Sequence, residues 1–156
     1  MRKETIIEKL TALMHLDYDA IGAYNRAIDH IDVAAIRDQL QLFVTDHGRH
    51  VHDLKAAIEH LGGEAPKDPG RDLKGFLIEG VTAVRSLLGT VSALKAMRAN
   101  EKLTNKTYEE ALQTDWPSEV APMILRHRED EARHLAYIEM AIEQLEQDAA
   151  AAKPAT

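Results

Sequence analysis

Cysteine does not occur among the 156 residues, which excludes disulfides, thiolate nucleophiles, iron–sulfur clusters and rubredoxin-type iron sites. Any metal must be held by nitrogen and oxygen donors, with eight histidines and 26 Asp and Glu residues to supply them. Long apolar runs are missing too. The stretch from Met1 to Leu10 lacks the apolar core of a signal peptide, and nothing later approaches the ~18 consecutive apolar residues of a membrane span. Nor is there an excess of positive charge. The 19 Lys and Arg leave a net charge of −7, whereas a nucleic-acid or anionic-membrane surface needs a concentrated basic face. What remains, 45% hydrophobic and 29% charged, suits one folded domain and not a disordered chain. The expectation is a cytoplasmic protein with no nucleic-acid and no membrane partner; a homodimer is left open.

What is present is a duplication. Displaced by 84 residues against itself, the sequence sets Asp17 on Glu101, Tyr24 on Tyr108, Asp46 on Asp130, Arg49 on Arg133 and His50 on His134. From residue 46 to 61, seven of sixteen positions are identical without a gap. Internal similarity of this kind sets the architecture. Here it gives two helical hairpins, each with an acid and a histidine at the same internal spacing.

The periodicity is helical almost throughout. From about Glu4 to Ile31, the residues Leu10, Leu13, Asp17, Ala20, Tyr24, Ala27 and Ile31 recur at alternating steps of three and four, the stripe of a bundle helix. A second helix, about Val33 to Leu61, carries Ile36, Leu40, Phe43, His47, His50, Leu54, Ala57 and Leu61, and Gly62-Gly63 stops it. A third, about Leu87 to Gln113, is marked by Leu94, Met97, Glu101, Thr104, Tyr108 and Ala111. A fourth, with Pro117 suited to its first turn, runs to about Gln147 with Val120, Ile124, His127, Glu131, His134, Ile138, Ala141 and Leu145 inward. Short turns make helices one and two antiparallel, and likewise three and four, while a helix over about Asp72–Leu88 would be the crossover between hairpins. The expected architecture is an all-α four-helix bundle, one domain over residues 1–148. It comprises hairpin 4–61, crossover 62–86 and hairpin 87–147, with a disordered tail at 149–156.

The stripes are apolar except at one level. Asp17 lies about as far before the first hairpin turn as His47 and His50 lie after it, so at ~1.5 Å per residue all three stand at matching heights. Glu101 stands in the same relation to Glu131 and His134 about the turn near Trp116. Residues i and i+3 share a helix face, so each histidine-bearing pair grips from one helix. Three carboxylates and three imidazoles then converge inside the bundle, an arrangement that costs several kcal/mol unless something compensates. Two divalent cations would compensate. A single stripe histidine is ordinarily a hydrogen-bonded core residue; a set of acids and histidines at one height favours metal. Tyr24 and Tyr108 are either core aromatics or donors to the carboxylates, and His127 supports the site, fills the core or, as a less favoured alternative, is itself a ligand. Asp46 and Asp130 orient a histidine across the hairpin or pair with Arg49 and Arg133. His15, His30, His52 and His60 fall off the stripes and are expected in solvent.

These residues carry a resemblance. The segments Leu16–Tyr24, Asp46–His50, Asn100–Tyr108 and Asp130–His134 resemble the four ligand regions of ferritin-like di-metal carboxylate proteins. The rubrerythrin branch, with a tyrosine seven residues after its acid, is nearest in spacing. Over about Glu4 to Gln147 the chain is similar to a bacterial family of small ferritin-like proteins. The family pattern, an acid on helices one and three and Glu-x-x-His on two and four, implies Asp17, Glu101, Glu131, His50 and His134 as ligands. Asp17 is one methylene shorter than the usual Glu, and His47 stands where a bridging Glu is expected. With His47 added, the implied site is Asp17, His47, His50, Glu101, Glu131 and His134, supported by Tyr24, Tyr108 and His127. It implies two Fe or Mn ions, or one if His47 weakens the second position, with Zn also suited to the donors. The position served by Glu101 and Glu131 is expected to carry more charge and bind more tightly. The implied activity is oxygen- or peroxide-linked redox chemistry of an oxidase or peroxidase kind, with an external electron donor and no catalytic residue assignable. The alternative is a non-catalytic structural or stress-related bundle with a Zn-occupied or degenerate site. An iron-storage cage ranks third.

Overall fold

The computed structural model describes residues 1–69 and 89–154, so the expected crossover helix over Asp72–Leu88 lies outside the described residues. Four helices make up most of the described chain: α1 (Lys3–Ile28), α2 (Ala34–His60), α3 (Thr90–Ala111) and α4 (Ala121–Ala151). Among the described residues there is no strand, and no helix is long and apolar enough to cross a membrane. α1 packs along α2 and α3 along α4. The two hairpins meet through α1 and α3 and, more sparsely, through α2 and α4.

Local chemistry sets the helix ends. α2 stops where Gly62 takes a φ of 73°, a left-handed backbone that only glycine adopts without strain. The Gly63 N–H then returns to the Ile58 carbonyl at 2.9 Å, closing the helix end. Gly63 also lies tight against α1, since a Cβ there would stand 2.9 Å from Ile7 Cγ2. The start of α4 departs from expectation. Pro117 stays outside the helix, its carbonyl accepting from the N–H groups of Val120 and Ala121 at 2.9 and 3.0 Å. The proline in the first turn is Pro122, where a missing N–H costs nothing. At its far end α4 continues through Ala151, beyond the expected stop near Gln147. Alanine is the strongest helix former, so Ala149 to Ala151 extend the helix into the segment expected as tail.

Burial follows the stripes closely. All six stripe residues within α1 are buried, as are Ile31 just beyond it and Leu94, Met97, Glu101, Thr104 and Tyr108 on α3. The apolar core, however, is split. One cluster gathers Tyr24, Ile31, Leu40, Phe43, Leu94, Met97 and Ile138. The other gathers Leu10, Met14, Leu54, Ile58, Tyr108, Trp116 and Ile124. Asp17, His47, His50, Glu101, Glu131 and His134 belong to neither cluster, and each is 0% exposed. Every buried Leu or Ile contributes ~1.5–3 kcal/mol; every buried charge costs free energy unless it is paired.

Candidate metal centre

α1 supplies Asp17, α2 supplies His47 and His50, α3 supplies Glu101, and α4 supplies Glu131 and His134. Their donor atoms fall into two overlapping groups, Asp17–His47–His50–Glu131 and His47–Glu101–Glu131–His134, each with its atoms within 4.8 Å of one another. All six residues singled out by the spacing are thus brought together. His47 and Glu131, one the 84-residue counterpart of the other, belong to both groups. Each group therefore offers two carboxylates and two imidazoles, and the expected inequality of charge is not found. Glu131 is central, with Oε1 3.4 Å from both His47 Nδ1 and His50 Nδ1 and Oε2 3.9 Å from His134 Nδ1. His47 faces both ways. Its Nδ1 lies 2.7 Å from Asp17 Oδ1 and its Nε2 3.7 Å from Glu101 Oε1.

The surroundings repeat across the two hairpins. The Tyr24 hydroxyl donates to Glu101 Oε1, and the Tyr108 hydroxyl donates to Asp17 Oδ2 at 2.6 Å. His50 Nε2 lies 3.0 Å from Asp130 Oδ2, and His134 Nε2 lies 3.0 Å from Asp46 Oδ2. Each aspartate thus orients a histidine of the opposite hairpin, not of its own, because α2 and α4 face each other. Both also pair with arginine. Arg49 donates to Asp46 at 2.9 Å and to Asp130 at 2.7 Å, and Arg133 donates to Asp130. Asn105, which the sequence pattern did not single out, donates through Nδ2 to the backbone carbonyls of Glu101 and Glu131 at 2.9 and 2.8 Å. It ties α3 to α4 at the height of the site.

Electrostatics divides the six. Burial alone would raise the pKa of Asp17, but its hydrogen bonds to His47 and His50 outweigh that and hold it well below the usual carboxylate range. Burial would lower both histidines. The charge of Glu131, the hydrogen bond to Asp17 and the nearby Glu101 carboxylate raise His47 instead, and bonds to Asp130 and Asp17 raise His50 to about 10. Burial pushes Glu131 up to about 7, and pushes His134 down. Tyr24 and Tyr108 are raised by burial and by their carboxylate neighbours, so they remain hydroxyl donors. Without a metal, protons on His47 and His50 carry the positive charge facing these carboxylates.

Hydrogen bonding is nonetheless incomplete. His47 Nε2, Glu101 Oε2, both Glu131 oxygens and His134 Nδ1 are buried without a hydrogen-bond partner. Buried polar atoms are rarely left so; these five lie on residues of the two donor groups, while Asn100 Oδ1 is another such atom outside them. Nitrogen and oxygen donors of this kind suit Fe, Mn or Zn, so the residues fit a metal.

His127 is buried but lies in neither donor group. Its ring stacks on His50 with centroids 4.0 Å apart, and its Nε2 is 3.3 Å from Asp53 Oδ2. Burial, reinforced by the His50 charge, lowers its pKa to about 4. Asp53 was not anticipated. The available signal was its counterpart at the 84-residue displacement, Tyr137. Of the off-stripe histidines, His52 and His60 are exposed, whereas His15 and His30 are half-buried.

Residues 5–114 match the family model described as "Domain of unknown function (DUF2383)". No curated protein matches the chain. Among solved structures, the chain is similar to one described as a crystal structure of ferritin-like, diiron-carboxylate proteins from Bacillus anthracis str. Ames. The TM-score is 0.67 at 19% identity, covering 91% of this chain and 99% of that one. The fold is ferritin-like, and the buried cluster is compatible with metal binding.

Proposed function

The chain belongs to the DUF2383 family, and on that premise we propose that its ferritin-like bundle holds two divalent iron or manganese ions in the polar layer and reacts with dioxygen or peroxide. The observation that carries this reading is the set of five buried, unpartnered donor atoms, all within two groups of four converging side chains. A buried cluster left in that state is unfavourable, and cations bound by the same atoms would complete it. The description of the Bacillus anthracis structure as diiron-carboxylate supports the choice of ion.

Asp17 and His50 would hold one ion and Glu101 and His134 the other, with His47 and Glu131 within reach of both; a neutral His47 has one lone pair and would join one ion at a time. Bound ions would supply one-electron redox steps and Lewis acidity. The chain's own residues do the rest. Asp130 and Asp46 fix His50 and His134 through Nε2, leaving Nδ1 of each toward the layer. Tyr108 and Tyr24 each occupy one oxygen of Asp17 and Glu101 and hold those carboxylates in place. The apolar clusters on either side keep bulk water away. His47 and His50 must give up their protons as ions enter, so loading is favoured by rising pH. With no cysteine in the chain, electrons would come from another protein or from the bound metal's own oxidation.

A second reading, a non-catalytic bundle with zinc, is favoured by one feature. His47 stands at the counterpart position of Glu131, a neutral donor where a carboxylate would bridge. Metal content of protein purified without chelators, followed by oxygen consumption when protein loaded anaerobically with Fe(II) is mixed with oxygenated buffer, separates the two. Iron or manganese with oxygen uptake is the expected result. Zinc without uptake supports the second reading, and protein that takes up no metal overturns the first while leaving a bundle with a degenerate site standing.

A further inference from the structure

The duplication breaks beside the site. Displacement by 84 residues sets His127 on Phe43 and Tyr137 on Asp53, and the two pairs occupy equivalent places. Phe43 lies over His134 with ring centroids 4.2 Å apart and meets Tyr137 edge-on at 5.5 Å. His127 lies over His50 at 4.0 Å, and its outer nitrogen meets Asp53 at 3.3 Å. The shelf outside the two site histidines is therefore a pair of aromatic rings, Phe43 and Tyr137, on one side and imidazole–carboxylate on the other.

The polar side leads outward. The Asp53 side chain is 29% exposed and borders a surface cleft of about 320 Å³ that Glu119, His60 and Arg126 also line. Inward, His127 Nδ1 lies 3.4 Å from the Tyr108 hydroxyl, which donates to Asp17 at 2.6 Å. Oxygen and nitrogen atoms thus succeed one another from the cleft to Asp17 and His50. On the opposite side Phe43 interrupts any such succession. A buried imidazole tied to a carboxylate gains less from burial than an aromatic pair, so packing alone does not account for the exchange. A divalent cation entering a dry interior does need such atoms, because hydrocarbon offers nothing to replace its water ligands.

We propose that Asp53 and His127 form the entry route for divalent cations, and that the side closed by Phe43 and Tyr137 is sealed. This rests on the metal-binding reading above. Asp53 meets the hydrated ion at the cleft, His127 replaces part of its water shell, and Asp17 with His50 receives it. The Asp17–His50 position then fills first, and the second position is reached through the shared His47 and Glu131.

The test is the rate at which Co(II) alone loads metal-stripped full-length protein, followed by the visible absorption of bound Co(II) after rapid mixing. His127→Phe copies the residue already seated at the counterpart position, and Asp53→Asn changes only a half-exposed carboxylate. Both are expected to slow loading by about tenfold or more, the scale of losing a polar partner worth ~1.4 kcal/mol, with the final stoichiometry unchanged. Joint replacement of Phe43→His and Tyr137→Asp should accelerate it by opening the second side. Loading at the parent rate in both single variants, with the same amount of Co(II) bound, overturns the entry route alone. A parent that binds no Co(II) overturns the metal reading as well.

Discussion

Leu54 and His50 lie one turn apart on α2, both fully buried, yet they belong to layers held together in opposite ways. Leu54 sits among Leu10, Met14, Ile58 and Ile124, where removing surface from water is itself the source of stability. His50 sits among carboxylates and imidazoles that lost their hydration on folding and recovered only part of it in hydrogen bonds. The apolar layers are sufficient in themselves, while the polar layer keeps buried donor atoms without partners. Different residues of the same helices therefore make up the apolar core and the candidate site.

The largest expected effect breaks the apolar side of that comparison. Leu10→Ala or Leu54→Ala should lower the unfolding free energy by about 2–5 kcal/mol, with or without metal, as measured by denaturant titration. A loss confined to the metal-free protein would mean the layers are not independent. Next comes the ion itself. Mn(II) at a hundredfold excess over its Kd should stabilise the parent by about 2.7 kcal/mol for each ion bound. Glu131→Leu, which removes the one carboxylate common to both groups, should abolish that gain.

A third prediction uses pH. In the metal-free protein Glu131 is raised to about 7, so its contribution is present below its unfolded value near 4.5 and is lost as pH rises through 7. His50 is raised to about 10, so its contribution is full below 6.5 and is lost as pH rises through 10. The lowered groups His127 and Asp130 add nothing further above 6.5. Thermal midpoints of metal-free protein should therefore fall from pH 6.5 to 10, whereas metal-loaded protein should resist that fall because ligands bind metal deprotonated. A flat profile without metal would contradict the assignment of protons to the layer. The smallest effect probes the repeat. Tyr24→Phe and Tyr108→Phe each remove one hydroxyl donor to a buried carboxylate, and should each cost about 1.5 kcal/mol. Unequal costs would show that the two halves differ in energy as well as in the Phe43–His127 exchange.

Much of this was legible in the sequence because the signals were periodic. Steps of three and four put Leu10 through Ile31 on one face, and the 84-residue displacement put Asp17, His50, Glu101 and His134 at one height. The remainder depended on facts a stripe does not contain. Asp46 and Asp130 serve the opposite hairpin because of how α2 faces α4, which no single helix records. The equal charge of the two donor groups follows from the central place of Glu131, whereas counting ligands by helix assigned it to one end. Asp53 lies off the stripe and half-exposed, so only its contact with His127 gives it meaning. Pro117 and Pro122 are both compatible with a helix start, and the turn bonds to the Pro117 carbonyl decide between them.

The central claim, that the polar layer is a two-ion site sharing His47 and Glu131, is tested most directly by metal stoichiometry. Metal-stripped protein titrated anaerobically with Fe(II) or Mn(II) should bind two ions per chain, and Glu131→Leu should bind none tightly. A parent that binds no ion, or a Glu131→Leu variant that binds as many ions as tightly as the parent, would contradict the account.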